Sequence, residues 1–129
     1  MRKHYLLVDI SNSFTKAVWS DGQALGAVQR IATPRLTSSK VKRWLKDAAS
    51  PIGLVLSSVV PDKTNAVLEA ASLPVVQVGA TLDLGIGIDY PKPSQIGPDR
   101  LANAVAAQAL FGGPAIVVDF GTAVTFDVL

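Results

Sequence analysis

Three short β-type runs, separated only by turn residues, fill the first 33 residues of the chain. The apolar run HYLLVDI (4–10) ends at the polar residues SNS, and TKAVWS (15–20) follows directly. Asp21-Gly22 is a strong hairpin signal, and QALGAVQRIAT (23–33) supplies the third run. Strands joined by such short turns pair antiparallel, so the sequence predicts a three-stranded meander.

A helical pattern follows the meander. The sequence predicts a helix over 37–49, capped by Thr37 or Ser38 and ended by Pro51 and Gly53. Apolar residues recur at helical spacing along this segment, which gives the helix one face for the core. They are Val41, Trp44, Leu45 and Ala48.

Strand and helix patterns alternate through the rest of the chain. Strands are predicted at 52–60 and 74–79, with a helix between them over 61–73 that starts at Pro61. A loop rich in Gly, Pro and Asp leads to a third helix, which starts at Pro98. This order indicates an α/β protein with a mixed sheet.

Two further strands are predicted at 114–120 and 122–129, and no element follows to cover their faces. We therefore expect 1–113 to form one domain and 114–129 to begin a second, truncated C-terminal domain. On this interpretation the chain is a fragment.

The composition argues against several classes of protein function. The chain is 49% hydrophobic and 17% charged with a net charge of +2, so we expect a folded protein that does not bind nucleic acid. It has no cysteine, which excludes disulfides, thiolate metal sites and cysteine nucleophiles. No apolar run approaches the ~20 residues of a membrane span, so we expect a cytoplasmic protein that does not bind membranes. The closest basic group has the spacing of a solvated helix face: Lys40, Lys42, Arg43 and Lys46.

The first candidate site is the turn between the first two strands. Asp9 ends a buried strand, small polar residues follow, and Lys16 lies on the return strand. Backbone N–H groups and the hydroxyls of Ser11, Ser13 and Thr15 can bind phosphate oxygens there. Asp9 can hold Mg²⁺, directly or through water, and Lys16 can neutralise phosphate charge. The residues alone leave open a plain hairpin turn with an Asx-type cap.

The second candidate site repeats this pattern near the end of the chain. Asp119 ends an apolar strand, and Gly121, Thr122 and Thr125 follow it about 110 residues after the first turn. If the two turns face each other across a cleft, they can hold nucleotide phosphates from both sides. A second plain hairpin is the alternative.

The third candidate site is the start of the helix at Pro98. Gly97 or an upstream residue caps this helix, and Asp99 complements its dipole. Arg100 is electrostatically misplaced at a helix N-terminus, which predicts that it reaches an anion. That anion is an internal carboxylate such as Asp89, or the carboxylate or phosphate of a ligand.

Two blocks of sequence resemble the type III pantothenate kinases, which belong to the superfamily of acetate and sugar kinases, Hsp70 and actin. They are YPKPSQIGPDR (90–100) and DFGTAVT (119–125), and SSVVP (57–61) also fits the family. The resemblance covers the whole chain. It implies a ribonuclease H-like mixed sheet with flanking helices, plus the first hairpin of a second, similar domain.

The resemblance also implies site residues. Asp99 would accept the proton of the primary hydroxyl of pantothenate, and Asp119 would bind a monovalent cation, K⁺ or NH₄⁺. Family members are homodimers, so a second copy is the expected partner. Pantothenate would contact Tyr90, Gly97, Pro98, Asp99 and Arg100. ATP would contact Asp9, Ile10, Ser11, Asn12, Ser13, Phe14, Thr15, Lys16 and Thr122, with Mg²⁺ near Asp9.

The implied activity is ATP-dependent phosphorylation of pantothenate to 4′-phosphopantothenate, the first step of coenzyme A biosynthesis. Family members are about twice as long, so we expect these 129 residues alone to bind ATP feebly and to turn over nothing. Ser11 replaces the glycine of the family's usual Asp-x-Gly-Asn loop. This favours an alternative, a non-catalytic protein that senses nucleotide or pantothenate, such as a transcription accessory factor. A kinase for another hydroxylated acid is a third possibility.

Overall fold

The predicted meander is present in the computed structural model, which describes residues 3–47 and 51–129. Strands β1 (His4–Ile10), β2 (Phe14–Ser20) and β3 (Gln29–Ala32) pair antiparallel in that order. The prediction for the third strand was too long at its start. Asp21 accepts hydrogen bonds from the N–H groups of residues 23 and 24 at 3.0 and 2.8 Å. These amides therefore belong to an Asx-type loop, and regular strand pairing begins only at β3.

Two βα units extend the meander into a mixed sheet. Helix α1 (Ser38–Lys46) leads to β4 (Pro51–Ser58), and α2 (Pro61–Ala70) leads to β5 (Val75–Gln77). Strand β4 pairs parallel with both β1 and β5, which gives the order β3-β2-β1-β4-β5. This confirms the predicted mixed α/β fold, with a meander followed by βαβ crossovers as in ribonuclease H-like sheets.

The first helix starts as predicted but ends earlier. The Thr37 hydroxyl caps it by accepting a hydrogen bond from the N–H of Lys40, and the helix is complete at Lys46. The prediction that Pro51 and Gly53 end this helix was wrong, because both lie in β4. A proline has no N–H to donate, so it is tolerated as the first residue of a strand.

The core lies between one face of the sheet and the helices α1 and α2. Trp44 of α1 and Val67 of α2 are almost completely buried in it. Leu45 packs against its margin, and Ala48, the last residue of the predicted apolar face, lies outside the described residues. The sheet contributes Leu6, Val8, Ile10, Ala17, Leu54 and Leu56.

The chain divides into two compact units, Met1–Gln77 and Val78–Leu129. The second unit contains α3 (Pro98–Phe111) and a hairpin of β6 (Ile116–Phe120) and β7 (Val124–Val128). Short 3₁₀ turns lie at Thr33–Arg35 and Pro93–Gln95. No helix within the described ranges is long and apolar enough to cross a bilayer. The predicted domain boundary between 113 and 114 stays a prediction.

The hairpin has two different faces because side chains alternate along each strand. Asp119 and Asp127 lie on the same, half-buried face, since Asp119 pairs with Thr125 and Val117 pairs with Asp127. The other face is apolar and exposed, with Ile116, Val118, Phe120, Val124, Phe126 and Val128.

Candidate active site

The turn after β1 is closed by hydrogen bonds to Thr33. The N–H of Ser11 donates to the carbonyl of Phe14 at 3.1 Å, and the N–H of Thr33 donates to the carbonyl of Ser13 at 3.0 Å. The Thr33 hydroxyl donates to the carbonyl of Ser11 at 2.6 Å and lies 3.0 Å from the Thr15 hydroxyl. Thr15 is fully buried, so its hydroxyl supports the turn from behind.

The other residues of the predicted phosphate turn differ in exposure. Ile10 is fully buried in the core, whereas the side chains of Asn12 and Ser13 are exposed at the tip of the turn. Phe14 is 41% exposed, and the guanidinium carbon of Arg30 lies 3.7 Å from the centre of its ring. The turn thus presents polar groups and one aromatic ring with a cation stacked on it.

A row of polar residues crosses the sheet beside this turn. Asp9 pairs with Lys16 on β2 and with Ser57 on β4, and Lys16 pairs with Arg30 on β3. Residues paired across neighbouring strands point to the same face, so these four side chains share one side of the sheet. Asp9 is half-buried, and Lys16 and Arg30 are exposed. One carboxylate and two cations therefore lie on the same side of the sheet, beside the first turn.

Ser57 differs from its neighbour Ser58 in its hydrogen bonds. Ser57 is only 9% exposed, and its hydroxyl has no hydrogen-bond partner among the described residues. The Ser58 hydroxyl accepts from the N–H of Val60 at 3.2 Å and from the Thr64 hydroxyl at 2.8 Å. Ser58 therefore ties the end of β4 to the start of α2.

This difference makes a prediction about stability. Ser58→Ala should lower the free energy of unfolding by about 1–2 kcal/mol, because it removes the acceptor of the Val60 N–H and one of the two acceptors of the Thr64 hydroxyl. Ser57→Ala should leave the free energy of unfolding unchanged or raise it by up to about 1 kcal/mol, because it removes a buried hydroxyl with no partner. Urea unfolding of both variants checks this. A Ser57→Ala variant as unstable as Ser58→Ala would contradict it.

The start of α3 has the predicted geometry. Gly97 is the N-cap and makes no side-chain hydrogen bond, Pro98 is the first helical residue, and Asp99 lies in the first turn. The N–H of Arg100 donates to the carbonyl of Gly97 at 3.1 Å. Asp99 is half-buried, beside the positive end of the helix dipole.

Arg100 reaches an internal carboxylate, as one of the two predicted alternatives required. The carboxylate is Asp127 of β7 and not Asp89, which was named as the example. Arg100 Nε donates to Asp127 Oδ1 at 2.9 Å, and Arg100 Nη2 donates to the same oxygen. The hydrogen bonds that Arg100 donates to Asp127 raise the pKa of Arg100, burial opposes the rise, and electrostatic interactions with Asp127, Tyr90 and Asp99 add to it.

A second contact joins α3 to the hairpin. Asn103 Nδ2 donates to Asp119 Oδ2 at 2.9 Å, and both side chains are half-buried. Thr122 follows in the exposed turn between β6 and β7, where the N–H of Gly121 donates to the carbonyl of Ala123 at 3.1 Å. The structure thus ties α3, the helix that carries Asp99 and Arg100, to both strands of the hairpin through Asp119 and Asp127.

Tyr90 lies in the long loop before α3 and is 44% exposed. Its electrostatic interaction with Arg100 is one of the smaller contributions to the raised pKa of that side chain. The two predicted phosphate turns lie in different units, and the prediction that they face each other stays a prediction.

Sequence reasoning missed four residues that the structure ties to these sites. Thr33 and Ser57 were not named as site residues, because Thr33 reaches the first turn only by hydrogen bonds to Ser11 and Ser13, and Ser57 joins the polar row only by pairing with Asp9. Asn103 had a usable signal, since it lies four residues after Asp99 and so on the same helix face. Asp127 had a weaker one, as the acidic residue of a strand whose alternate positions are the apolar Val124, Phe126 and Val128.

The side chains at these sites suit metal ions that prefer oxygen ligands. In the described parts of the chain no three His, Cys, Asp or Glu side chains gather into a metal cluster. Mg²⁺ bound to nucleotide needs only one or two protein carboxylates, because phosphates and water complete its shell, and Asp9 fits that demand. Asp119 directly precedes the turn at 120–123, and its carboxylate and the turn carbonyls are oxygen ligands of the kind that an alkali cation accepts.

Comparison with known proteins identifies the family. The model of the type III pantothenate kinase family matches residues 5–129. A type III pantothenate kinase of Methylacidiphilum infernorum is 44% identical in an alignment of 127 residues that covers 96% of this chain and 45% of that protein. One from Akkermansia muciniphila is 43% identical over 125 residues, 97% of this chain and 52% of that protein. The chain spans about half the length of the curated relatives it matches. On the extent of these matches, the chain belongs to the type III pantothenate kinase family.

Proposed function

We propose that the whole protein transfers the γ-phosphoryl group of ATP to the primary hydroxyl of pantothenate and so makes 4′-phosphopantothenate for coenzyme A biosynthesis. The observation that carries this proposal is the start of α3. There Asp99 and Arg100 lie in one turn, and the same helix is hydrogen-bonded to Asp119 of the glycine–threonine hairpin. The family match covers all of these residues.

The roles follow from the chemistry of phosphoryl transfer. The transition state is loose, so positioning and charge neutralisation do most of the work. Asp99 accepts the hydroxyl proton as the new P–O bond forms, while Tyr90, Gly97, Pro98 and Arg100 hold pantothenate. The exposed tip of the first turn and Thr122 bind ATP phosphates, and Lys16 offsets their charge.

Two cations complete the proposed site. Asp9 would hold Mg²⁺ directly or through water, and the ion would supply charge neutralisation at the phosphates. Asp119 holds a monovalent cation, K⁺ or NH₄⁺. We further propose that the protein acts as a homodimer in the cytoplasm, as the family resemblance implies.

The experiment is an assay of the whole protein, including everything its reading frame encodes, with ATP, Mg²⁺, K⁺ and pantothenate. We expect ADP and phosphopantothenate in equal amounts, measured by coupled absorbance and mass spectrometry. Residues 1–129 alone should show no turnover. Turnover of another hydroxylated acid, such as glycerate, without turnover of pantothenate would show that the protein is a kinase for that acid instead.

Ser11 supports one competing function, a non-catalytic sensor of nucleotide or pantothenate. Its carbonyl and N–H are both used within the turn, at 2.6 Å to Thr33 and 3.1 Å to Phe14. The turn therefore closes with serine in place of the usual glycine. Binding of MgATP by the whole protein without any turnover would favour the sensor.

A further inference from the structure

We infer that Asn103 is a positioning residue that orients the Asp119 carboxylate toward the monovalent cation, an inference that rests on the proposed function. The observation is the hydrogen bond from Asn103 Nδ2 to Asp119 Oδ2 at 2.9 Å. It joins the second turn of α3 to the last part of β6 across 16 residues of chain. Asn103 makes no direct contact with the cation in this scheme and acts only through Asp119.

The hydrogen bond selects which carboxylate oxygen is presented. A carboxylate rotates about its terminal torsion unless one oxygen is held. The amide of Asn103 engages Oδ2, which leaves Oδ1 as the oxygen that Asp119 offers to a cation. Only the nitrogen end of the amide can face an ionised carboxylate, because the oxygen end would be repelled. Partners of this kind, one bond away from a metal ligand, typically change metal affinity 10- to 100-fold.

The burial of the pair strengthens this control. Asn103 and Asp119 are both half-buried, so water competes less for the bond than at an open surface. Asp119 points to the same side of the hairpin as Asp127, whose carboxylate is bonded to Arg100. Each acidic side chain of this face is therefore hydrogen-bonded to one residue of α3.

The same contact links the cation to the proposed base. Asn103 lies four residues after Asp99, so the two side chains share one face of the helix, about one turn apart. A cation that orders Asp119 also orders Asn103 and, through the rigid helix, the turn that carries Asp99. Cation binding should therefore be sensitive to Asn103 even though the amide carries no charge.

The test replaces Asn103 with leucine, which has nearly the same shape and no donor, in the whole protein. We expect the K⁺ concentration for half-maximal activity to rise at least tenfold, with kcat at saturating KCl within about twofold of wild type. The KM for pantothenate should not change. As a readout without turnover, KCl should raise the melting temperature of the wild-type protein above its value in tetramethylammonium chloride of equal ionic strength. Asn103→Leu should need at least tenfold more KCl for the same rise.

Gln108→Leu is the matched control, since Gln108 is an exposed amide on the same helix. It should leave both K⁺ measurements unchanged. An unchanged K⁺ requirement in Asn103→Leu would overturn the inference, and so would a parallel loss of kcat, pantothenate affinity and melting temperature. If wild-type protein phosphorylates pantothenate without any need for a monovalent cation, the inference fails and the kinase proposal stands. If wild-type protein phosphorylates no pantothenate, the proposed function itself fails.

Discussion

Replacing Asp99 with asparagine is expected to lower kcat for pantothenate phosphorylation by the whole protein about 10²- to 10⁴-fold, the usual contribution of a positioned general base. The amide keeps the size of the side chain and can still accept a hydrogen bond from the substrate hydroxyl, but it cannot take the proton. The KM for pantothenate should therefore change little. Steady-state kinetics with varied pantothenate separate the two parameters.

Asp62→Asn is a matched control for this variant. Asp62 and Asp99 each follow a proline at the start of a helix, and each is the acidic residue of the first turn. Loss of either charge removes a favourable interaction with the helix dipole of about 0.3–1 kcal/mol. Both variants should lose stability by similar amounts, and only Asp99→Asn should lose turnover. Equal turnover by wild type and Asp99→Asn would remove Asp99 as the base.

The parts of the fold that sequence predicted well are those with local causes. The apolar run that forms β1 ends at Ile10 because polar turn residues follow, and the observed strand has the predicted bounds. The cap of α1 at Thr37 depends only on a hydroxyl and an N–H three residues later. Pro51 and Gly53 were misassigned because a residue that disfavours helix does not by itself say which element it joins.

The partners of the cations at two helix N-termini could not be predicted from the local sequence. Two helices begin with proline, aspartate and a cation, and the cation at a helix N-terminus signals that a partner is needed. Lys63 Nζ donates to the carbonyls of Pro34 and Leu36 at 3.2 and 3.0 Å, whereas Arg100 binds Asp127. The need was predictable, but the partners were not, since they depend on where a distant turn or hairpin packs. A backbone carbonyl that accepts a hydrogen bond cannot be identified from the sequence, because every residue has one.

The pair of Arg100 and Asp127 leads to the second large expected effect. The two side chains are 29% and 17% exposed, so the pair lies between a surface ion pair of about 0–1 kcal/mol and a buried one whose disruption costs about 3–5 kcal/mol. We therefore expect Arg100→Met to lower the free energy of unfolding of the second unit by about 2–3 kcal/mol. Hydrogen–deuterium exchange of the α3 and β7 amides measures this loss locally.

The two single variants should differ because the charges they leave behind differ. Arg100→Met leaves Asp127 as the less exposed partner, with Oδ2 buried and without a hydrogen-bond partner among the described residues. Asp127→Val leaves Arg100, whose guanidinium is more exposed and can regain water. Asp127→Val should therefore lower the free energy of unfolding by less, about 1–2 kcal/mol. The double variant contains neither charge. Its loss in free energy of unfolding should therefore be smaller than the summed losses of the two single variants by at least about 1 kcal/mol. Additive losses would mean that the pair is not coupled. Coupling of the expected size would mean that Asp127 holds Arg100 in place before any ligand arrives.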